Sequence, residues 1–336
     1  GTSLVKRFQI KFKHMKNIFL ATALFIFTGA FAQQKELTLE DAVLSYSKGL
    51  TPKNMSGLKW VDGTNNYAFI EGKEIVIKSV LGKEVIRINL EKFTKTFPEL
   101  KSIPRVSHIS STELIFQHKN QMIHFDYVKG KELSRTPFSK DAANTDYNKK
   151  TKVIAYTIGN NLFISKVLKG GKSSEAQTLP VTNNEDKNIV SGQAIHRYEF
   201  GIHKGTFWSP KGNYLAFYQK DETNVGDYPI VDVNAYPASV KNIKYPMAGK
   251  ENEIAKIGIY NLKTNKTAYL NIDNKDEHFL TSLSWTPDEK HVFVGELNRG
   301  QNHLQFNRYD VATGNKVNTI FEERNDKWVE PEQDAV

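Results

Sequence analysis

The sequence predicts an all-β fold built from repeated four-stranded units, and three observations support this prediction. After residue 43, no long segment has apolar residues at helical spacing. Instead, alternating apolar runs of four to eight residues are separated by clusters of Gly, Asn, Asp and Pro, a pattern typical of strands joined by hairpin turns. In addition, an aromatic residue followed by a polar turn and an alternating strand recurs along the chain.

The first predicted element is a short helix that begins after Thr38. Thr38 can cap this helix, Glu40 and Asp41 lie in its first turn, and the apolar residues around them follow a helical spacing. Every later element is a short strand. The predicted strands include residues 67–70, 74–77, 85–88, 114–116, 122–125, 153–156, 162–164, 215–218, 257–260, 291–294 and 306–309.

Repetition of the strands decides the architecture. Residues 208–217 (WSPKGNYLAF) recur as residues 285–294 (WTPDEKHVFV), in degraded form as residues 60–69 (WVDGTNNYAF), and more faintly as residues 147–156 (YNKKTKVIAY). Two further strands follow each copy, so a unit has four strands. Because such units bury their faces only by stacking on their neighbours, the sequence predicts a β-propeller. A β-sandwich is the alternative, but it would not repeat this unit.

The copies begin near residues 60, 109, 147, 208 and 285, which predicts about five blades separated by insertions. The last blade, around residues 306–321, is expected to be incomplete. Residues 328–331 are similar to the start of a further strand, and an open propeller would expose the edges of its sheets. We therefore expect the sequence to be a truncated part of a longer chain.

The N-terminal segment has the pattern of an export signal. After Met15 come a positive charge, the apolar stretch 18–27 and an Ala-x-Ala site that ends at Ala32. A membrane anchor is the alternative, but the uncharged stretch 18–32 is shorter than the ~20 residues that span a bilayer. We expect a periplasmic, secreted or cell-surface protein that is free of the membrane after cleavage.

This interpretation divides the chain into four parts. Residues 1–14 are an upstream extension outside the native fold, and residues 15–32 are the signal peptide. Residues 33–55 form a lead-in that contains the short helix, and residues 56–336 form the partial propeller.

Composition excludes several classes of protein and site. With 39% hydrophobic and 25% charged residues the chain is globular rather than disordered, and without cysteine it has no disulfide, thiolate nucleophile or zinc knuckle. The net charge of +9 falls to +4 when residues 1–32 are removed, and no basic stripe with interleaved aromatic residues follows. A nucleic-acid partner is therefore not expected.

No catalytic or metal motif is found in the sequence. It contains no Gly-x-Ser-x-Gly elbow, Walker loop or His-Glu-x-x-His motif, so we expect no catalytic residue and no cofactor in this chain. His196 and His203 would need a third ligand that the sequence does not supply, so no metal site is predicted. A propeller glycosidase or lyase would need paired acids on inner strands, and no such pair can be placed.

The most unusual segment is residues 193–205, where several ionisable side chains lie next to Phe200 and Ile202 just before the Trp208 strand. A solvated loop is the simpler interpretation. However, a carboxylate held against a surface of low dielectric attracts an ammonium group more strongly than one in water. Glu199 is therefore a candidate for binding a positively charged ligand.

Residues 194–212 (AIHRYEFGIHKGTFWSPKG), continuing through residues 215–222, resemble the dipeptidyl peptidase IV family of serine peptidases, and within it the bacterial prolyl tripeptidyl aminopeptidases. Residues 245–249 (YPMAG), 257–260 (IGIY) and 279–289 (FLTSLSWTPDE) match the family pattern in the same order. The resemblance is specific from about residue 190 onward.

This resemblance implies an eight-bladed propeller followed by a C-terminal α/β-hydrolase domain that carries the Ser-Asp-His triad, here absent, with the active site between them. It also implies that Glu199 binds the free α-amino group of a peptide substrate with proline near the scissile bond. Dipeptidyl members carry two adjacent Glu residues there, and Tyr198 takes the first of these places. Arg135 lies near the region where the family can supply an arginine to a substrate carbonyl, although surface charge is the simpler interpretation.

Two functions therefore compete. In the first, the chain is the propeller part of an exported prolyl exopeptidase whose partners are the peptide, its own hydrolase domain and, in a homodimer, a second copy. In the second, it is a stand-alone periplasmic propeller that serves as a binding or scaffold module without enzymatic activity. A reading frame that continues into a Gly-x-Ser-x-Gly motif would favour the first function.

Overall fold

The computed structural model describes residues 36–52, 54–167 and 176–333, so the predicted signal peptide and upstream extension lie outside the described residues. The chain divides into two compact units, Gly1–Met55 and Ser56–Val336. The first contains helix α1 (Leu39–Val43), which begins after Thr38 as predicted. The Thr38 hydroxyl accepts the Asp41 N–H at 3.0 Å and the Asp41 carboxylate accepts the Thr38 N–H at 3.3 Å, a reciprocal cap.

The second unit begins with two four-stranded antiparallel sheets, each with its strands in chain order. Blade I consists of β1 (Ser56–Trp60), β2 (Asn66–Glu71), β3 (Glu74–Ser79) and β4 (Glu84–Ile88). Blade II consists of β5 (Val106–Ile109), β6 (Glu113–His118), β7 (Gln121–Asp126) and β8 (Lys131–Pro137). The short helix α2 (Glu91–Thr94) lies between them in the chain and buries Phe93.

Three further sheets follow. Blade III consists of β9 (Ala143–Asn148), β10 (Val153–Ile158), β11 (Asn161–Val167) and β12 (Ala176–Pro180). Blade IV has five strands: β13 (Ile189–Ser191) and β14 (Thr206–Trp208) both pair with β15 (Tyr214–Asp221), followed by β18 (Ile254–Asn261) and β19 (Lys266–Tyr269). A separate hairpin, β16 (Asp227–Asp232) and β17 (Ser239–Lys244), is inserted between β15 and β18. Blade V consists of β20 (His278–Trp285), β21 (His291–Asn298), β22 (His303–Asp310) and β23 (Lys316–Arg324).

The turn after the repeated tryptophan is built in the same way in three blades. In blades I, IV and V the residue after the Trp donates its N–H to the carbonyl five residues later, over 2.9–3.0 Å; the pairs are Val61–Asn66, Ser209–Tyr214 and Thr286–His291. The hydroxyls of Ser209 and Thr286 also accept the N–H groups that begin the returning strand, at 2.9 and 3.1 Å. These shared bonds confirm that the repeated sequence unit is a structural unit.

The apolar core consists of layers between successive blades. The layer between blades I and II includes Phe93, Phe116 and Phe125, all fully buried, and the layer between blades IV and V includes Ile257 and Val292. Two further layers join blade II to III and blade III to IV. Because each sheet buries one face against its neighbour, the blades depend on stacking, as the sequence predicts.

Two predictions about the C-terminal region are wrong. The fifth blade is complete, because Lys316–Arg324 forms its fourth strand. Residues 328–331 form no strand; Val329 is instead buried against Phe200 and Phe279. The described part of the chain forms five blades, and a closed ring of eight remains a prediction. Among the described residues, no helix is long and apolar enough to cross a membrane.

Candidate functional site

Glu199 lies on a tight turn between β13 and β14, at the start of blade IV. The turn includes one 3₁₀ segment, His196–Tyr198, but its backbone is left-handed rather than helical. Positive φ angles are found at His196 (50°), Arg197 (57°), Tyr198 (67°), Phe200 (58°) and Gly201 (73°). For a residue with a side chain this conformation costs on the order of 1–3 kcal/mol, so surrounding contacts must hold the turn in place.

The imidazole of His196 is the first of these contacts. It is buried, and its Nε2 accepts the backbone N–H of Leu280 in blade V at 3.0 Å. The backbone N–H of His196 donates to Glu253 Oε1 at 2.5 Å, and Nδ1 lies 3.2 Å from the same oxygen without good hydrogen-bond alignment. His196 therefore connects the turn to blade V and to the residue that precedes β18.

Buried charges surround this histidine. The Lys220 ammonium lies 3.7 Å from Glu253 Oε2 and 2.6 Å from Glu222 Oε1. Burial lowers the pKa of His196, an effect that Glu253 only partly opposes, so the imidazole is neutral near pH 7. Burial alone would raise the pKa of Glu253, but the nearby His196 Nδ1, the charge of Lys220 and the hydrogen bond from the His196 backbone N–H hold it below its ordinary value. Glu253 is thus a carboxylate.

Blade V and the C-terminal segment fix the other end of the turn. The Thr281 hydroxyl donates to the Phe200 carbonyl at 2.6 Å, and the rings of Phe200 and Phe279 have centroids 4.8 Å apart. A Cβ at position 201 would lie 2.7 Å from the Glu332 carbonyl oxygen, and the φ angle of Gly201 is positive. Both facts make glycine necessary at this position. The turn is therefore anchored on both sides of Glu199.

The Glu199 side chain itself is exposed. Within the described ranges its carboxylate has no hydrogen bond or ion pair, whereas the adjacent Arg197 guanidinium lies over the Tyr245 ring, 5.1 Å from its centroid. Neighbouring Tyr198 is 66% exposed. The arrangement is a negative charge on a well-anchored backbone, open to a cationic group of a ligand.

Arg135 has a different environment. It lies on β8, the outer strand of blade II, and its guanidinium donates to Glu132 at 2.7 and 2.5 Å and to Gln121 at 3.0 Å. The hydrogen bonds to the Glu132 carboxylate raise the pKa of Arg135. The described contacts do not bring Arg135 to Glu199, so its role toward a substrate carbonyl stays a prediction.

A cavity of about 770 Å³ lies against the first strands of blades I, II and III. Its lining includes Lys59, Arg105, His108, Asp146 and Tyr147. Asp146 also connects this cavity to the chain that follows the turn, because its Oδ2 accepts from the Thr206 hydroxyl at 2.9 Å and lies 3.3 Å from the Lys204 ammonium.

Among the residues that the structure describes, no three His, Asp or Glu side chains form a group that could hold a metal ion.

Sequence reasoning proposed Glu199 as a binding residue, which stays a prediction, and it missed the residues that hold the Glu199 turn in place. Glu253 and Leu280 lie 57 and 84 positions from His196 along the chain. No local pattern marks either residue, since one precedes an ordinary strand and the other contributes only its backbone N–H. The single available signal was the unusual density of ionisable residues around His196.

A comparison with known protein families shows to which family the chain belongs. Residues 104–336 match the model of the N-terminal region of dipeptidyl peptidase IV. This range includes more than half of the chain, all of blades II to V and the whole turn around Glu199. The chain belongs to the dipeptidyl peptidase IV family. The resemblance noted in residues 194–212 is thereby confirmed at the level of the family.

Solved structures of dipeptidyl peptidase IV proteins have the same fold. A structure described as a dipeptidyl aminopeptidase IV from Bacteroides ovatus is 35% identical, with a TM-score of 0.71 over 84% of this chain and 39% of that chain. Dipeptidyl peptidase 4 of Porphyromonas gingivalis is 18% identical, with a TM-score of 0.66 over 89% of this chain and 44% of that chain, and shows the fold alone.

Curated relatives include a protein described as dipeptidyl-aminopeptidase B of Neurospora crassa, 27% identical over 218 residues, which are 58% of this chain and 23% of the relative. A protein of the same description from Ajellomyces capsulatus is 24% identical over 258 residues, 27% of its length. The chain thus spans about a quarter of these relatives.

Proposed function

We propose that this chain is the substrate-binding propeller part of an exported serine exopeptidase that removes di- or tripeptides from the N-terminus of peptides after proline. Family membership and the aminopeptidase names of the relatives support the reaction class. The observation that carries the proposal is the exposed carboxylate of Glu199, which has no partner among the described residues and lies on a turn whose strained backbone is held by His196 and Phe200.

An N-terminal exopeptidase must recognise the free α-amino group, which is an ammonium at neutral pH. A carboxylate that accepts from this ammonium in a water-poor cavity forms a charge-assisted hydrogen bond, which is short and stronger than a neutral one. Because the backbone around Glu199 is already ordered, binding loses little conformational entropy there. Glu199 thereby acts by positioning the peptide relative to the scissile bond, not by taking part in the bond chemistry.

On this proposal the nucleophile belongs to a hydrolase domain outside these 336 residues, where a serine attacks the prolyl carbonyl and a histidine accepts its proton. Tyr198 takes the place of one of the two adjacent Glu residues implied for dipeptidyl members. A single carboxylate is consistent with a deeper site that measures three residues from the amine, which favours tripeptide release.

The test uses the product of the complete reading frame and chromogenic Xaa-Pro and Xaa-Xaa-Pro substrates. Glu199→Gln should lower kcat/KM for free-amine substrates by about 10- to 1000-fold, and N-acetylated substrates should be poor for the wild type and change little in the variant. Glu251→Gln removes an exposed carboxylate before β18 and is the matched control. Equal activity of the Glu199 and Glu251 variants would contradict the proposal, and amine-selective binding without hydrolysis would favour the scaffold function.

A further inference from the structure

We propose that His196 is a positioning residue, whose neutral imidazole holds the turn that presents Glu199 to the peptide amine. The inference rests on the proposed function of Glu199. It adds a second residue, which does not contact the ligand, to the group of residues that recognises the peptide α-amino group. The geometry supports the inference about His196 in three steps.

The first step is the need for an anchor. Non-glycine residues on both sides of Glu199 have positive φ angles, a conformation that a free loop would leave. Glu199 has no side-chain partner in the described part of the chain, so the backbone of the turn is what sets the position and direction of its Cα–Cβ bond. Whatever fixes the backbone of the turn therefore fixes the region that the carboxylate can reach.

The second step is the assignment of the imidazole. Nε2 accepts the Leu280 N–H, so in the neutral ring the proton is on Nδ1. Nδ1 then faces Glu253 Oε1, the same oxygen that accepts the backbone N–H of His196. Through its ring and its backbone N–H, His196 thus connects the turn to two elements that are distant in sequence, blade V and the residue that precedes β18.

The third step separates hydrogen bonding from packing. The imidazole also packs edge-to-face on Phe279, with ring centroids 5.1 Å apart, and a phenylalanine at position 196 could keep this contact. It would, however, leave the buried Leu280 N–H without an acceptor. If the ring served only to fill space, an apolar ring would be sufficient, whereas the proposal requires the hydrogen bond from the Leu280 N–H to Nε2 to set the orientation of the turn.

The experiment measures binding of Ala-Ala-Pro, and of its N-acetylated form as the uncharged control, to the protein by isothermal titration calorimetry. The wild type should bind the free amine at least about 10-fold more tightly, a preference worth about 1.4 kcal/mol, and Glu199→Gln should abolish it. His196→Phe should reduce the preference to less than about 3-fold while the affinity for the acetylated peptide is unchanged.

Two further variants keep the test informative if His196→Phe does not fold. His196→Gln carries an amide oxygen that can accept the Leu280 N–H and should restore most of the preference. His196→Asn keeps a donor toward Glu253 but reaches less far, and should not restore it.

The outcomes separate the two proposals. If the wild type does not distinguish the two peptides, the proposed function of Glu199 fails, and this inference with it. If the wild type distinguishes them through Glu199 but the Phe or Asn variant keeps the full preference, the positioning role of His196 is wrong and the function of Glu199 stands.

Discussion

Gly205 shows how a single position near the site is determined by sterics. It precedes β14, and its carbonyl accepts the Tyr218 N–H at 2.9 Å. A Cβ built there would lie 2.3 Å from the backbone carbonyl carbon and oxygen of Gln193, which are not free to move like the end of a side chain. The two chain segments that enter and leave the Glu199 turn therefore touch backbone to backbone.

Gly205→Ala should accordingly destabilise the chain. Because the clash involves backbone on both sides, we expect a loss of about 1–3 kcal/mol in the free energy of unfolding, measured by urea denaturation. Gly226→Ala is the control, since a Cβ there meets nothing within 4 Å. Equal stability of the two variants would show that residues 193 and 205 separate readily.

The buried His196 also predicts a dependence of stability on pH. The pKa of His196 in the folded state lies below the ordinary value of 6.5. As the pH falls past 6.5, the unfolded state therefore binds more protons than the folded state does. The stabilisation is complete above about pH 6.5 and is lost as the pH falls through the folded-state pKa. The charged and titratable groups that face the ring are Glu253, Lys220 and His278, and the contribution of Glu253 is lost only below its ordinary value of 4.5.

Between pH 7 and 5, the free energy of unfolding of the wild type should therefore fall more steeply than that of His196→Gln. The difference in slope cannot exceed about 1.4 kcal/mol per pH unit for one proton. Chemical denaturation at several pH values measures it, and parallel curves for the two proteins would show that His196 does not titrate differently on unfolding.

At the scale of the element, the hairpin of β16 and β17 is distinct from the blade that carries it. Its strands pair only with each other, and most of its side chains are exposed. The rings of Tyr228 and Tyr245 are in contact near the base of the hairpin, with centroids 5.6 Å apart. Blade IV is already complete without these two strands, since β15 pairs directly with β18.

Replacing residues 228–243 by a short Gly-Ser linker should consequently change the melting temperature by no more than about 3 °C, because little buried surface is lost. Deletion of β23 serves as the comparison: it removes strand pairing from blade V and should lower the melting temperature clearly. A large loss of stability in the hairpin variant would mean that the hairpin is part of the cooperative fold.

Most elements of the fold could be predicted from sequence because they depend on local patterns. The Trp-turn-strand unit is one example, since Ser209 and Thr286 make their bonds within five residues. Strand β23 was missed because its side chains are almost all exposed, so Lys316–Arg324 has little apolar alternation. The candidate site was only partly predictable: the resemblance proposed Glu199, whereas Glu253 and Leu280, which hold its turn through His196, come from distant segments.

At the scale of the whole molecule, stacking of the blades explains how a chain built from one repeated Trp-turn-strand unit can hold the Glu199 turn in a defined position. Layers of apolar residues join each blade to the next, including the layer between blades IV and V beside the Glu199 turn. His196 and Thr281 connect that turn to blade V, so the position of Glu199 depends on the packing between two blades. The account therefore predicts a binding site that belongs to the assembled propeller and not to a single loop.

A crystal structure of the protein with bound Ala-Ala-Pro tests the central claim most directly. The account predicts that the peptide ammonium lies about 2.7–2.9 Å from a carboxylate oxygen of Glu199, with His196 Nε2 still accepting the Leu280 N–H. A peptide whose ammonium is bound by other groups while the Glu199 carboxylate remains in solvent would contradict it.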